Sequence, residues 1–240
     1  MNSSDPVAAA MVQAIRTGDA DTLRGLLAEH PDLASEPITD ERGSKTPLLA
    51  AADWPGYFPG GPAIVRMLLD AGADPNRTTG GDKPETPLHW AASSDDADVA
   101  EVLISGGADI EMPGGSIGTP LDNAIGYGCW HVARLLARSG ARVDKLWHAA
   151  ALGMLPRIEE LLAAAPAPGP ADLNEAFWQA CHGGQRRAAE LLLSRGADIN
   201  ATTGYSDQTP ADVAAEIGTR RENLVTWLRG HGARTAGPQG

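Results

Sequence analysis

The sequence predicts an all-α solenoid of about seven helix–turn–helix repeats joined by short hairpin loops, and three observations carry that prediction. A Thr-Pro opening recurs at Thr46-Pro47, Thr86-Pro87, Thr119-Pro120 and Thr209-Pro210, each time leading into an Ala-containing apolar run. Thr accepts a hydrogen bond from an otherwise orphaned helix N–H, and Pro at the next position has its φ preset and lacks only a donor that would go unused. Apolar runs closed by Gly-Ala follow most openings, as in Val65 to Asp74 and Ala189 to Asp198, which reads as a second helix with a glycine stop. The third observation is the period: 33 residues separate Thr86 from Thr119, a spacing typical of stacked helix pairs.

Taken in order, the repeats fall near 7–38, 43–77, 83–112, 116–143, 144–168, 172–203 and 206–234, with a tail at 235–240 expected to be disordered. The first lacks the Thr-Pro opening, but Val12 to Gly18 and Leu23 to Leu27 match the two helices. The second, third and fourth carry the openings at Thr46, Thr86 and Thr119. In the fifth, Trp147-His148-Ala149-Ala150-Ala151-Leu152-Gly153 leads to Ile158-Glu159-Glu160-Leu161-Leu162, and in the sixth, Phe177 to Gly184 leads to Leu191-Leu192-Leu193. The seventh opens at Thr209 and ends in a helix that buries one face through Leu224 to Leu228. Stacked repeats share one continuous core, so a single domain over 1–240 is expected.

These strings resemble ankyrin repeats. The family's T-P-L-H-x-A-A opening stands here as Thr86-Pro87-Leu88-His89-Trp90-Ala91-Ala92, and its L-L-x-x-G-A-D-x-N close as Leu192 to Asn200. The resemblance implies a non-catalytic interaction module that binds another protein along a concave groove. It also implies that His89 ties its own repeat to the next through hydrogen bonds.

Composition narrows the partner. A formal net charge of −12, with no Lys or Arg stripe, argues against a nucleic-acid backbone and favours a partner with a neutral or basic patch. Arg186-Arg187 and Arg220-Arg221 read as solvated pairs. The N-terminus has no basic n-region or apolar h-region, no run reaches membrane-spanning length, and Cys129 and Cys181 sit in separate helical contexts. A monomer in a reducing cytoplasm, with free thiols, is the expectation. Three Lys against many Arg, with abundant Ala and Gly, fit a GC-rich bacterial genome by association.

Departures from the period hold what is specific to this chain. Trp54-Pro55-Gly56-Tyr57-Phe58-Pro59-Gly60-Gly61-Pro62 lengthens the second repeat, so that 40 residues separate Thr46 from Thr86; such a loop is a binding element or a spacer. Asp144 takes the Thr position only 25 residues after Thr119, so about eight residues, one hairpin, are missing, and a notch is expected between repeats four and five. In the ankyrin pattern the fourth, seventh and eighth positions after the Thr face the groove. Across the repeats these and the adjacent third position bring together Trp90, Asp122, Asn123, Tyr127, Trp147, His148, Trp178, Gln179 and His182, beside Trp54 and Tyr57 of the insertion. Aromatic walls with a few polar groups make interface hot spots or ligand pockets, although Trp147 and Trp178 equally suit packing between repeats.

Enzymatic chemistry finds little support. Gly114-Gly115-Ser116-Ile117-Gly118 matches a nucleophile elbow in letters only, since it lies in a turn before Thr119 and follows no buried strand. Cys181, His182, His148 and Asp122 lack metal-ligand spacing, and no phosphate or dinucleotide loop occurs, so no cofactor is expected. The competing reading is a small-molecule or catalytic pocket at the notch, with Asp122 and His148 as an acid–base pair. Full burial of the His148 and Gln179 side chains would overturn both site assignments, the groove and the pocket.

Overall fold

The computed structural model describes residues 1–41, 43–216 and 221–236, which form two compact units, 1–141 and 142–240. Fourteen α-helices occur among the described residues, beside one 3-10 turn and one two-stranded hairpin. Unit 1 contains α1 (Pro6–Thr17), α2 (Ala20–Glu29), β1 (Ile38–Asp40), β2 (Gly43–Lys45), α3 (Pro47–Ala51), α4 (Gly61–Asp70), α5 (Pro87–Ser93), α6 (Ala97–Ser105), α7 (Pro120–Gly126) and α8 (Trp130–Arg138). Unit 2 contains α9 (Leu146–Leu152), α10 (Leu155–Ala163), α11 (Pro170–His182), α12 (Arg186–Ser194), α13 (Pro210–Ala215) and α14 (Glu222–Gly230). The expected tail falls mostly on 237–240, outside the described residues.

Each Thr-Pro string starts a helix as the sequence predicts. The hydroxyls of Thr46, Thr86, Thr119 and Thr209 accept from the amide three residues on, at 3.3 to 3.4 Å. In three of them the third residue returns the bond. His89 Nδ1 accepts the Thr86 amide at 3.2 Å, Asp122 Oδ2 the Thr119 amide at 2.8 Å, and Asp212 Oδ2 the Thr209 amide at 2.9 Å. Two donors are thus satisfied at each of these three helix starts. The Gly-Ala closes also behave as read, because Gly72, Gly107, Gly140 and Gly196 all take left-handed φ, between 91° and 101°.

The Ala pairs explain how short first helices stack. Ala51, Ala91, Ala92, Ala124, Ala149 and Ala150 are at most 2% exposed, so adjacent backbones approach closely while Leu48, Leu88, Leu121 and Ile125 fill the layer in unit 1. In unit 2, Phe177, Ile158, Leu192, Leu224 and Leu228 do the same. Cys129 and Cys181 are free and buried; burial pushes the Cys129 thiol up to about 11 and the Cys181 thiol higher still.

Three local arrangements depart from a simple array. First, α11 has 13 residues where α5, α7 and α9 have seven each, and only 164–169 precede it. Extra helical turns stand there in place of a hairpin. Second, the insertion after α3 is tied down on both sides. Its Tyr57 amide donates to Asp96 Oδ2 at 2.6 Å and the Tyr57 hydroxyl to the Asp95 carbonyl, while a Cβ at Gly18 would overlap the Pro59 carbonyl oxygen. Third, α8 has no side-chain cap of its own. Asp95, in the turn after α5 and at φ 56°, accepts the His131 and Val132 amides at 2.9 and 3.0 Å and meets the His131 ring at 2.7 Å.

Arg221 corrects the reading of the arginine pairs. It is 6% exposed and packs against Gly184, so it is a buried cation and not part of a solvated face, whereas Arg186 is exposed and pairs with Glu190 at 2.8 Å.

Candidate functional site

In unit 1 a cleft of about 240 Å³ opens between the ends of first helices and the turns beside them. Asp53, Trp54, Glu85, Trp90, Ser93, Ser94, Ser116 and Tyr127 line it. Trp54 and Tyr127 are 77% and 53% exposed, and both occupy the eighth position after a capping Thr. That position lies just past the last helical turn, where the side chain is no longer covered by the following repeat. Tyr57 is 60% exposed nearby in sequence, and burial of its ring edge together with Asp95 and Asp96 holds its hydroxyl above the usual tyrosine range.

Glu85 organises the cleft floor. Its Oε2 accepts the Trp90 indole N–H at 3.0 Å, and its Oε1 accepts the Ser116 amide and the Asn123 side-chain amide, both at 3.0 Å. Asn123 is fully buried; the same Nδ2 also donates to Ser93 Oγ at 3.3 Å, and its Oδ1 accepts the Ile117 amide at 3.2 Å. The Ser116 and Tyr127 hydroxyls meet at 2.9 Å. The cleft is therefore an aromatic surface whose orientation is set by a closed polar network. Across it, Asp53 Oδ2 lies 2.9 Å from Lys45 Nζ and 3.5 Å from Arg16, and Lys45 Nζ sits 4.9 Å from the Trp90 ring centre.

Several residues assigned to the groove from sequence are buried. Asp122 is 1% exposed and its carboxylate serves the Thr119 cap, so it is a framework group and no acid or base for a substrate. Asn123, at the fourth position, lies under the 115–118 loop, which explains its burial. His89 does what the resemblance implies: Nδ1 takes the Thr86 amide and Nε2–H donates to the Gly118 carbonyl at 3.0 Å, while burial depresses its proton affinity.

Unit 2 repeats this lesson. His148, Trp178 and Gln179 are 2%, 5% and 3% exposed, which removes them from the binding surface assigned to them. Trp178 donates its indole N–H to the Gln208 carbonyl at 2.8 Å, and Gln179 donates to the Tyr205 hydroxyl at 2.9 Å. The loop after α12 thus covers the fourth position here too. His182 is half-buried, its ring 5.2 Å from that of Trp178 and its Nδ1 3.3 Å from Gln179 Oε1, and burial followed by the Arg221 charge lowers its pKa to about 4. Trp147 is half-buried and faces a second cleft of about 420 Å³, formed with Leu161, Pro166, Asp172 and Glu175. Burial and Asp172 raise the Glu175 carboxyl.

Sequence reasoning missed Glu85, Lys45 and Tyr205. Glu85 and Lys45 each stand one residue before a capping Thr, a recurring position that the helix pattern does not weigh, and Tyr205 lies in a loop four residues before Thr209.

An ankyrin-repeat family model in three copies matches residues 60–145, and a single-repeat ankyrin model matches 172–204. This is an ankyrin-repeat protein. Among curated ankyrin proteins it is similar to "Ankyrin repeat and SOCS box protein 16" of Homo sapiens, 41% identical over 76 residues, or 32% of this chain and 16% of that protein. It is also similar to "Ankyrin repeat and KH domain-containing protein mask-1" of Caenorhabditis elegans, 28% identical over 202 residues, or 80% of this chain and 7% of that one. The chain thus spans a small part of the curated relatives it matches. Its ankyrin repeats mark it as a protein-interaction module. Among the described residues no helix is long and apolar enough to cross a membrane, and no group of three or more His, Cys, Asp or Glu could hold a metal ion.

Proposed function

We propose that this ankyrin-repeat protein binds another protein through the aromatic cleft of unit 1, with Trp54, Tyr57, Trp90 and Tyr127 as contacts. The observation that carries the reading is the pairing of exposed Trp54 and Tyr127 beside Trp90, whose ring is fixed from below. Large, rigid aromatic groups held in place gain contact area at little entropic cost. Trp147 and His182 are the candidates for a second contact surface on unit 2, since they keep partial exposure where His148 and Gln179 do not. The two free, buried thiols and the acidic composition support a monomeric, cytosolic setting.

The test is affinity capture from the source organism's lysate with the wild-type chain, a Trp54→Ala, Tyr127→Ala double variant, and Glu101→Gln on an exposed face of α6. Proteins retained by wild type and Glu101→Gln but lost by the double variant support the reading. Retention by all three removes the cleft as the docking surface.

A further inference from the structure

Two of the residues that line the cleft of unit 1, Asp53 and Trp90, already hold a cation between them, and it belongs to the chain itself. Lys45, the last residue of β2, places its ammonium 4.9 Å from the centre of the Trp90 ring and 2.9 Å from Asp53 Oδ2. We infer that the Asp53 and Trp90 side of this cleft is a receptor for an arginine of the partner, and that Lys45 is an internal surrogate which the incoming guanidinium displaces. The inference rests on the docking surface proposed above and names the chemistry it selects.

Three features support it. An indole face attracts cations through its quadrupole, and Trp is the strongest of the aromatic residues in this respect. Here the face cannot turn away, because the Trp90 N–H is held by Glu85, and Glu85 by Ser116 and Asn123. The carboxylates are placed to complement the ring: Asp53 lines one side of the cleft, and Glu85 lies at the indole edge. The space left beside exposed Trp54 and Tyr127 suits one long side chain, and a net charge of −12 draws a basic segment toward it.

Competition favours arginine over the resident lysine. Lys45 and Asp53 keep 26% and 19% of their side chains exposed, so water reaches the pair and can solvate the ammonium as it leaves. An ammonium is strongly hydrated and bonds as a point charge. A guanidinium is planar and less hydrated, so it stacks on the indole while its fork meets the carboxylate. Arg16, at 3.5 Å from Asp53, is a looser second neighbour with half of its side chain in solvent.

The probes are acetylated, amidated pentapeptides Gly-Ser-Arg-Ser-Gly, its lysine counterpart and its citrulline counterpart, the last a neutral isostere of arginine. Each is titrated into the full chain while the indole N–H resonances of Trp54 and Trp90 are followed, assigned with Trp54→Phe and Trp90→Phe. The arginine peptide should shift both signals, bind more tightly than the lysine peptide, and leave the citrulline peptide near background. Lys45→Ala should tighten arginine binding by about fivefold, the scale of losing one cation–π competitor. Lys45→Arg should weaken it. Opposite effects from two substitutions at one half-buried strand end separate displacement from misfolding, and melting curves of both variants check the fold.

Unchanged or weaker binding by Lys45→Ala, equal binding of arginine and citrulline peptides, or no shift with any peptide overturns the inference. If partner capture still depends on Trp54 and Tyr127 while arginine and citrulline behave alike, the docking surface stands and the cation receptor falls. If capture is indifferent to those two residues, the docking surface itself falls.

Discussion

Asn123 shows how a polar residue at a helical position can be framework and still matter to a surface. Its side chain is fully buried and bonded to Glu85, Ser93 and Ile117, so removing it leaves part-buried polar groups without their partner. Asn123→Ala should cost about 2 kcal/mol and lower the melting temperature, and it should also broaden the Trp90 indole resonance as the Glu85 anchor loosens. Thr119→Ala, at the cap of the same helix, should cost about 1 kcal/mol without that spectral change. His182 carries a pH dependence. Its folded pKa of about 4 lies below the unfolded value of 6.5, so the unfolded state takes up protons first as pH falls. Its contribution is complete above pH 6.5 and is lost progressively down to about 4. Urea titrations of unit 2 fluorescence at pH 7.5 and pH 4.5 should therefore differ by about 2 kcal/mol more in wild type than in His182→Gln.

At the scale of elements, the helices were legible because their signals are local. Thr caps, Pro at the first position and left-handed Gly stops are decided by a few neighbouring backbone groups, and these appear where the strings put them. The site was less legible because a side chain's exposure at the fourth position depends on a loop some residues distant. The 115–118 loop covers Asn123, and Tyr205 covers Gln179, while the eighth-position Trp54 and Tyr127 escape cover. The ankyrin pattern alone does not encode that distinction. Gly196 offers an element-scale test: its φ is 99° and a Cβ there would meet open space, so Gly196→Val should destabilise through backbone strain alone, by about 1 to 2 kcal/mol. Gly18, at φ 71°, adds a clash to that strain, because an Ala Cβ there would meet the Pro59 carbonyl. Gly18→Ala should loosen the insertion, visible as faster amide exchange over 54–60, with little change at α4.

For the molecule as a whole, each unit has its own buried layer, and stability in repeat proteins is a sum of short-range terms. Leu103 is fully buried in unit 1, and Leu103→Ala should cost about 2 to 4 kcal/mol. Amide exchange should accelerate through α5 to α8 and leave α11 to α14 close to wild type. Acceleration of equal size across both units would contradict short-range additivity. The three Trp of each unit, 54, 90 and 130 against 147, 178 and 227, allow the same question to be asked by fluorescence after selective replacement with Phe.

Asp95 bears on how such a chain can be cut and rejoined. It belongs by sequence to the third repeat, yet it supplies the amide acceptor that α8 of the fourth repeat lacks. The period of the letters and the boundary of a self-sufficient piece are therefore out of step by half a repeat. A chimera spliced at the hairpin loops, where the sequence invites a cut, would separate α8 from its acceptor whenever the incoming third repeat has no acid after its first helix. Splices placed within the 93–96 turn would break the same link from the other side. Exchange of repeats three and four as a pair keeps donor and acceptor together.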